Sequence, residues 1–73
     1  MQELRSEIIG DRRVRLVAQS GDYYAVIIEV RGPAGWVGIS LCADQDLALE
    51  VASQRYRLRV AEQQARAIER GKT

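Results

Sequence analysis

Between positions 12 and 42 apolar and polar side chains alternate with the two-residue period of a half-buried strand, and beyond 44 they recur with the 3.6-residue period of a helix. The alternating stretch is rich in Val, Ile, Tyr and Trp. It is broken at Ser20-Gly21-Asp22 and Arg31-Gly32-Pro33-Ala34-Gly35, as consecutive antiparallel strands are broken by turns. The pattern predicts strands near 12–19, 23–31 and 36–42, with Ser6-Glu7-Ile8-Ile9 before Gly10-Asp11 as a fourth strand or a loose arm. From Asp44 to Arg70 no Gly or Pro intervenes; Asp44 fits an N-cap, Asp46 and Glu50 suit the positive end of a helix dipole, and Gly71 stands where a C-cap belongs. The expected fold is α+β: an antiparallel three- or four-stranded meander followed by one long C-terminal helix packed on one sheet face. It forms a single small domain over 1–73, with sheet over about 12–42, helix over 44–70, and 1–5 and 71–73 frayed. About 26 helical residues reach about 39 Å against strands of about 25 Å, so the helix is expected to overhang the sheet.

The alternation also sorts the faces. Val14, Leu16 and Ala18, with Tyr24, Val26, Ile28 and Val30 and with Val37, Ile39 and Leu41, form the expected core face. The opposite face carries Arg13, Arg15, Tyr23 and Trp36 around an apolar strip of Val17, Ala25 and Ile27. Along the helix, Leu47, Val51, Gln54, Leu58, Ala61, Ala65 and Ile68 keep the 4-3-4-3 spacing of a coiled-coil seam. Leu49, Ala52, Tyr56, Val60 and Ala67 fall on nearly the opposite side. One helix on one sheet needs a single apolar face, so the surplus stripe predicts self-association, with Leu58, Ala61, Ala65 and Ile68 as the oligomer interface. Arg55, Arg59, Arg66 and Arg70 share a flank between the stripes and form a second basic surface, edged by Glu62 and Glu69.

Composition narrows the picture. A chain of 73 residues buries only about 60% of the surface that its unfolded form exposes, a second reason to expect a partner or a copy of itself. Eleven basic against ten acidic side chains leave a net charge near +1, which hides the local concentration of arginine. The longest aliphatic run, Ala25-Val26-Ile27-Ile28, is far short of the roughly 18 residues of a membrane span, and Met1-Gln2-Glu3-Leu4-Arg5 lacks the features of a signal peptide; a cytoplasmic location without membrane contact is expected. The lone Cys42 excludes an internal disulfide, and without histidine no Cys/His zinc set can be assembled.

Ser6, Ser20, Ser40 and Ser53 have no histidine to activate them, which removes hydrolase triads of the common kind. Cys42 reads as a small apolar residue at a strand end, or as a thiolate favoured by the following helix. Asp44 and Asp46 read as capping residues rather than a cation site, and Gly32-Pro33-Ala34-Gly35 as a hairpin turn rather than a phosphate loop. No catalytic residue, metal or cofactor is expected. Guanidinium groups engage phosphates and exposed rings stack on unpaired bases, so Arg13, Arg15, Tyr23 and Trp36 are the candidate nucleic-acid-binding residues.

The run Trp36-Val37-Gly38-Ile39-Ser40-Leu41, leading into Cys42-Ala43-Asp44-Gln45-Asp46-Leu47, resembles the last strand and helix start of the positive cofactor 4 family of single-stranded-DNA-binding coactivators. The resemblance covers about a dozen residues. It implies a dimer whose curved sheets offer Arg13, Arg15, Tyr23 and Trp36 to single-stranded DNA, although the lysine-rich character of that family is missing here. Tyr23-Tyr24-Ala25-Val26-Ile27-Ile28 followed by Gly35-Trp36-Val37 is similar, more loosely, to the hairpin of HicB-type antitoxins, where a further strand follows the helix. The expected function is a small non-enzymatic homo-oligomeric binding module, a dimer first, that holds single-stranded nucleic acid on the basic and aromatic sheet face. The alternative is a protein-binding adaptor or accessory protein of phage or mobile-element type, using the same face.

Overall fold

The computed structural model describes residues 2–39 and 41–71. Four strands, β1 (Gln2–Ile9), β2 (Arg12–Ser20), β3 (Tyr23–Gly32) and β4 (Gly35–Ile39), pair antiparallel in chain order. A short 3-10 turn, Cys42–Asp44, precedes the helix α1 (Leu49–Arg70), and the fold is an α+β meander with one C-terminal helix on the sheet. Gly10 and Gly21 open the first two turns with φ of 61° and 55°, a conformation that costs a residue bearing a Cβ.

The candidate at Ser6–Ile9 is a full strand. It starts at Gln2, so residues 2–5 belong to the sheet rather than fraying, with Gln2 opposite Ala18, Ile9 opposite Arg12 and a bulge at Leu4. Gly71 closes the helix by donating its N–H to Ala67 and Ile68 carbonyls; Met1, Ser40, Lys72 and Thr73 lie outside the described residues. Among the described residues the last strand runs to Ile39, and Cys42, expected as its last residue, begins the 3-10 turn instead.

The helix begins five residues later than the sequence suggests. Asp44 is fully buried and paired with arginines, and the N-cap is Ala48, in extended conformation with no side-chain bond to the helix start. What delays the helix is a return to the sheet: Leu47 and Tyr24 exchange two backbone hydrogen bonds of 2.8 and 2.9 Å, so Leu47 pairs with β3 beyond the end of short β4. Asp46 takes φ 54° to make that approach, and its N–H donates to Oε1 of Gln19, the residue at the β2 bulge. Twenty-two helical residues span about 33 Å, the length of the ten-residue β3. The helix runs from the Tyr24 end of the sheet to Asp11 at the other end, where Arg70 lies 3.5 Å from the Asp11 carboxylate. It therefore matches the sheet and does not overhang it.

The core consists of Val14, Leu16, Val26 and Ile28 from the sheet with Ala52 and Tyr56 from the helix, flanked by Ile9, Tyr24, Leu47 and Val60. A helix about 10 Å across covers about two strands at 4.8 Å spacing, here β2 and β3. Val37, Ile39 and Leu41, expected in the core, are consequently 60%, 45% and 39% exposed. Of the two helical stripes, the one with Ala52, Tyr56 and Val60 is packed on the sheet, and Arg5 from β1 lies over the Tyr56 ring at 5.0 Å. Among the described residues no helix is long and apolar enough to cross a membrane.

Candidate functional site

Three surfaces come out of this arrangement: the sheet face away from the helix, the outward side of α1, and the flank of α1 that overlooks Arg12.

On the open sheet face, register does the positioning. Arg13 stands opposite Glu29, Glu29 opposite Gly38, and Arg31 opposite Trp36, so three strands deliver their long polar side chains to one end of the face. Glu29 is 8% exposed and acts as the hub: Arg13 donates through Nε to its Oε1, and Arg15 donates through Nη1 to its Oε2 at 3.4 Å. Arg15 also reaches diagonally to Glu3 at 2.8 Å. Glu3 faces Val17 across the β1–β2 pair, so the Arg15 arm lies beside Val17. Of the apolar strip on this face, Val17 and Ala25 are 0% and 2% exposed and Ile27 is half-buried. Burial pushes the Glu29 carboxyl up, but the hydrogen bond and charge of Arg13, with those of Arg15, outweigh it and hold it below its ordinary value. The same hydrogen bond holds Arg13 more firmly protonated.

Trp36 lies between two guanidiniums, with Arg13 at 4.7 Å and Arg31 at 5.0 Å from its ring centroid. Arg31, Glu29 and Glu3 are the members that the sequence-based candidates left out; the position of Arg31 opposite Trp36 followed from the hairpin at Gly32–Gly35. Of the four candidates, Arg13, Arg15 and Trp36 belong to one cluster. Tyr23 does not join them: it is 55% exposed at the start of β3, eight residues or about 26 Å of strand from the level of Trp36.

The outward side of α1 carries Val51 (42% exposed), Leu58 (52%) and Ile68 (62%), with Gln54, Ala61 and Ala65 also exposed between them. The interface candidates Leu58, Ala61, Ala65 and Ile68 thus share one solvent-facing stripe.

The basic flank divides in two. Arg55 and Arg59 close on Asp44: Arg55 Nη1 lies 2.6 Å from Oδ1, Arg59 Nε 2.9 Å from Oδ2, and Arg59 also pairs with Glu62 at 2.8 Å. Burial pushes Asp44 up, and the hydrogen bonds of Arg59 and Arg55 overcome this and hold it below the usual carboxylate range. Asp44, read from sequence as a cap, is the clasp that ties the connection to the helix. Arg66 and Arg70 continue the same flank toward the helix C-terminus, with Arg12 across a cleft that Arg59 also lines. Cys42 is exposed and lies seven residues before α1, away from the helix dipole that would favour its thiolate.

Comparison with known proteins returns no matching family model, no matching curated protein and no matching solved structure.

Proposed function

We propose that the chain is a non-catalytic, self-associating protein-binding module in which two copies pair along the outward stripe of α1 and leave their open sheet faces to a partner protein. The observation that carries the reading is the exposure of Leu58, Ala61, Ala65 and Ile68 on the side of α1 opposite the one already packed on the sheet. Polar residues would serve a solvated helix face as well, and apolar ones at coiled-coil spacing suit a second helix. The small Ala61 and Ala65 allow close approach at the middle of the stripe. Charge on the open face is nearly balanced, with Arg13, Arg15 and Arg31 against Glu3 and Glu29. Guanidiniums already held by carboxylates gain little from displacing phosphate counterions, whereas tryptophan and arginine are enriched at protein interfaces.

Sedimentation of the intact chain tests the reading. A dimer is expected that Leu58→Glu converts to a monomer with unchanged circular dichroism. A monomer at every concentration for the unaltered chain rejects it. A second reading, single-stranded nucleic-acid binding, is favoured by Arg31, which has no carboxylate within ion-pair distance among the described residues, and by the Trp36 ring beside it. Trp36 fluorescence quenched by a single-stranded oligonucleotide, more than by duplex and less as salt rises, would put that reading first.

A further inference from the structure

The flank of α1 that overlooks Arg12 borders two adjoining, open depressions of about 360 and 230 Å³. Arg12 and Arg66 line both. The outer one is completed by Glu69 and Arg70, the inner one by Arg59, Glu62 and Gln63 over an apolar floor of Ile28, Ile39 and Leu41. Four arginines and two glutamates stand on the lining. Arg59 is satisfied by Asp44 and Glu62, and Arg70 lies near Asp11. Among the described residues Arg12 and Arg66 have no carboxylate within ion-pair distance. Arg12 makes a single long hydrogen bond, 3.4 Å from Nη1 to the buried Gln63 Oε1, and its own Nε is buried with no acceptor. A buried donor on a charged group left without an acceptor is rare and costly in a folded chain.

We propose that this cleft is a binding site for a small phosphate monoester bearing an apolar group. A phosphate monoester carries close to two negative charges near neutral pH, matching Arg12 and Arg66, the two lining guanidiniums with no carboxylate within ion-pair distance among the described residues. Its oxygens accept from the Arg66 guanidinium and the Arg12 Nη groups. Ile28, Ile39 and Leu41 take the apolar body. The combined space is in the range that holds a small organic molecule. The site lies on the inner flank of α1, apart from the outward stripe and the open sheet face, so it stands independently of the self-association reading.

The test is a titration of the ¹⁵N-labelled full chain with phenyl phosphate, followed at the Arg12 Nε–H signal and the Ile39 and Leu41 methyl groups. Saturable shifts at both are expected, with inorganic phosphate and neutral phenol each bound about tenfold more weakly because each loses half of the recognition. Arg66→Gln, at an exposed helical position, is expected to cost about tenfold in affinity with unchanged circular dichroism, while Glu69→Gln tightens binding and Arg31→Gln on the opposite face leaves it as it was. Shifts that do not saturate, equal affinity for phenyl phosphate and inorganic phosphate, or equal losses in Arg66→Gln and Arg31→Gln would each overturn the site in favour of diffuse surface charge.

Discussion

Asp44 holds its charge where no water reaches it, with a side chain 1% exposed and two guanidiniums closed on its oxygens. Glu29, with a side chain 10% exposed, is held by Arg13 and Arg15 on the open sheet face. Both carboxyls sit below their ordinary values when folded, since the arginines outweigh the burial that would raise them. A carboxyl depressed on folding stabilises the native chain above its unfolded value, and that contribution fades as pH falls through the folded value. Stability is therefore expected to decline below about pH 4–5 in urea unfolding. Asp44→Asn, which keeps the shape and removes the charge, is expected to cost about 2–3 kcal/mol at neutral pH and to flatten part of the acid decline. Unchanged stability in that variant would show that the clasp holds nothing. The sequence hides this role for a physical reason: an aspartate just ahead of a helical pattern satisfies every statistical expectation of a cap, and only the later return of Leu47 to β3 moves the helix start past it. Glu29 stood in view as the single carboxylate of an apolar strand, yet reading the face by its arginines and rings passed over it, because its partners are fixed only by the β2–β3 register.

Among the elements, the three strands between 12 and 42 were legible from alternation and turn residues, whereas β1, with its polar Gln2–Glu7 stretch, was open between a strand and a loose arm. Arg13 and Arg15 against Val14 and Leu16 assign the faces of β2 whatever the boundaries are, and the register of β3 confirms them residue by residue. The helix was legible as a helix, and its two stripes as two surfaces; naming Leu58, Ala61, Ala65 and Ile68 for self-association left the other stripe to the sheet, where Ala52, Tyr56 and Val60 are packed, with the Tyr56 ring under Arg5. Its start was not legible, because Asp46 in the left-handed region and the single bridge at Leu47 depend on contacts with Gln19 and Tyr24 far away in sequence. That start also leaves a local deficiency. Ala48 has the extended conformation of an N-cap, φ −65° and ψ 154°, with no side-chain oxygen to accept from the first turn. Ala48→Ser is expected to raise stability by about 1 kcal/mol, read as an increase in Tm by circular dichroism. No gain would mean that the first turn is already satisfied from elsewhere.

For the molecule as a whole, one helix cannot roof four strands, and the interior is accordingly centred on β2 and β3. Leu16→Ala is expected to cost about 2–5 kcal/mol, whereas Val37→Thr on β4 is expected to change stability by less than about 0.5 kcal/mol, both from urea unfolding. Similar losses at the two positions would place the core elsewhere. The candidate surfaces follow from the same shortage of cover: the open sheet face, the outward stripe of α1 and the cleft beside Arg12 are all places where the sheet and its single helix run out. Only the first two could be read from the chain, because the cleft depends on Arg12 and Arg66 meeting across 54 positions of sequence.

The neighbour-to-neighbour order of the strands bears on time as well as on shape. Each hairpin closes over a two-residue turn and can form before any distant contact is made, so folding should be quick for a sheet protein. Yet Val14, Leu16, Val26 and Ile28 gain their cover only when Ala52 and Tyr56 arrive, and α1 is the last of these elements to leave a ribosome. For that interval the nascent sheet shows its greasiest side to the cell, which makes prompt docking of the helix the step that separates folding from aggregation.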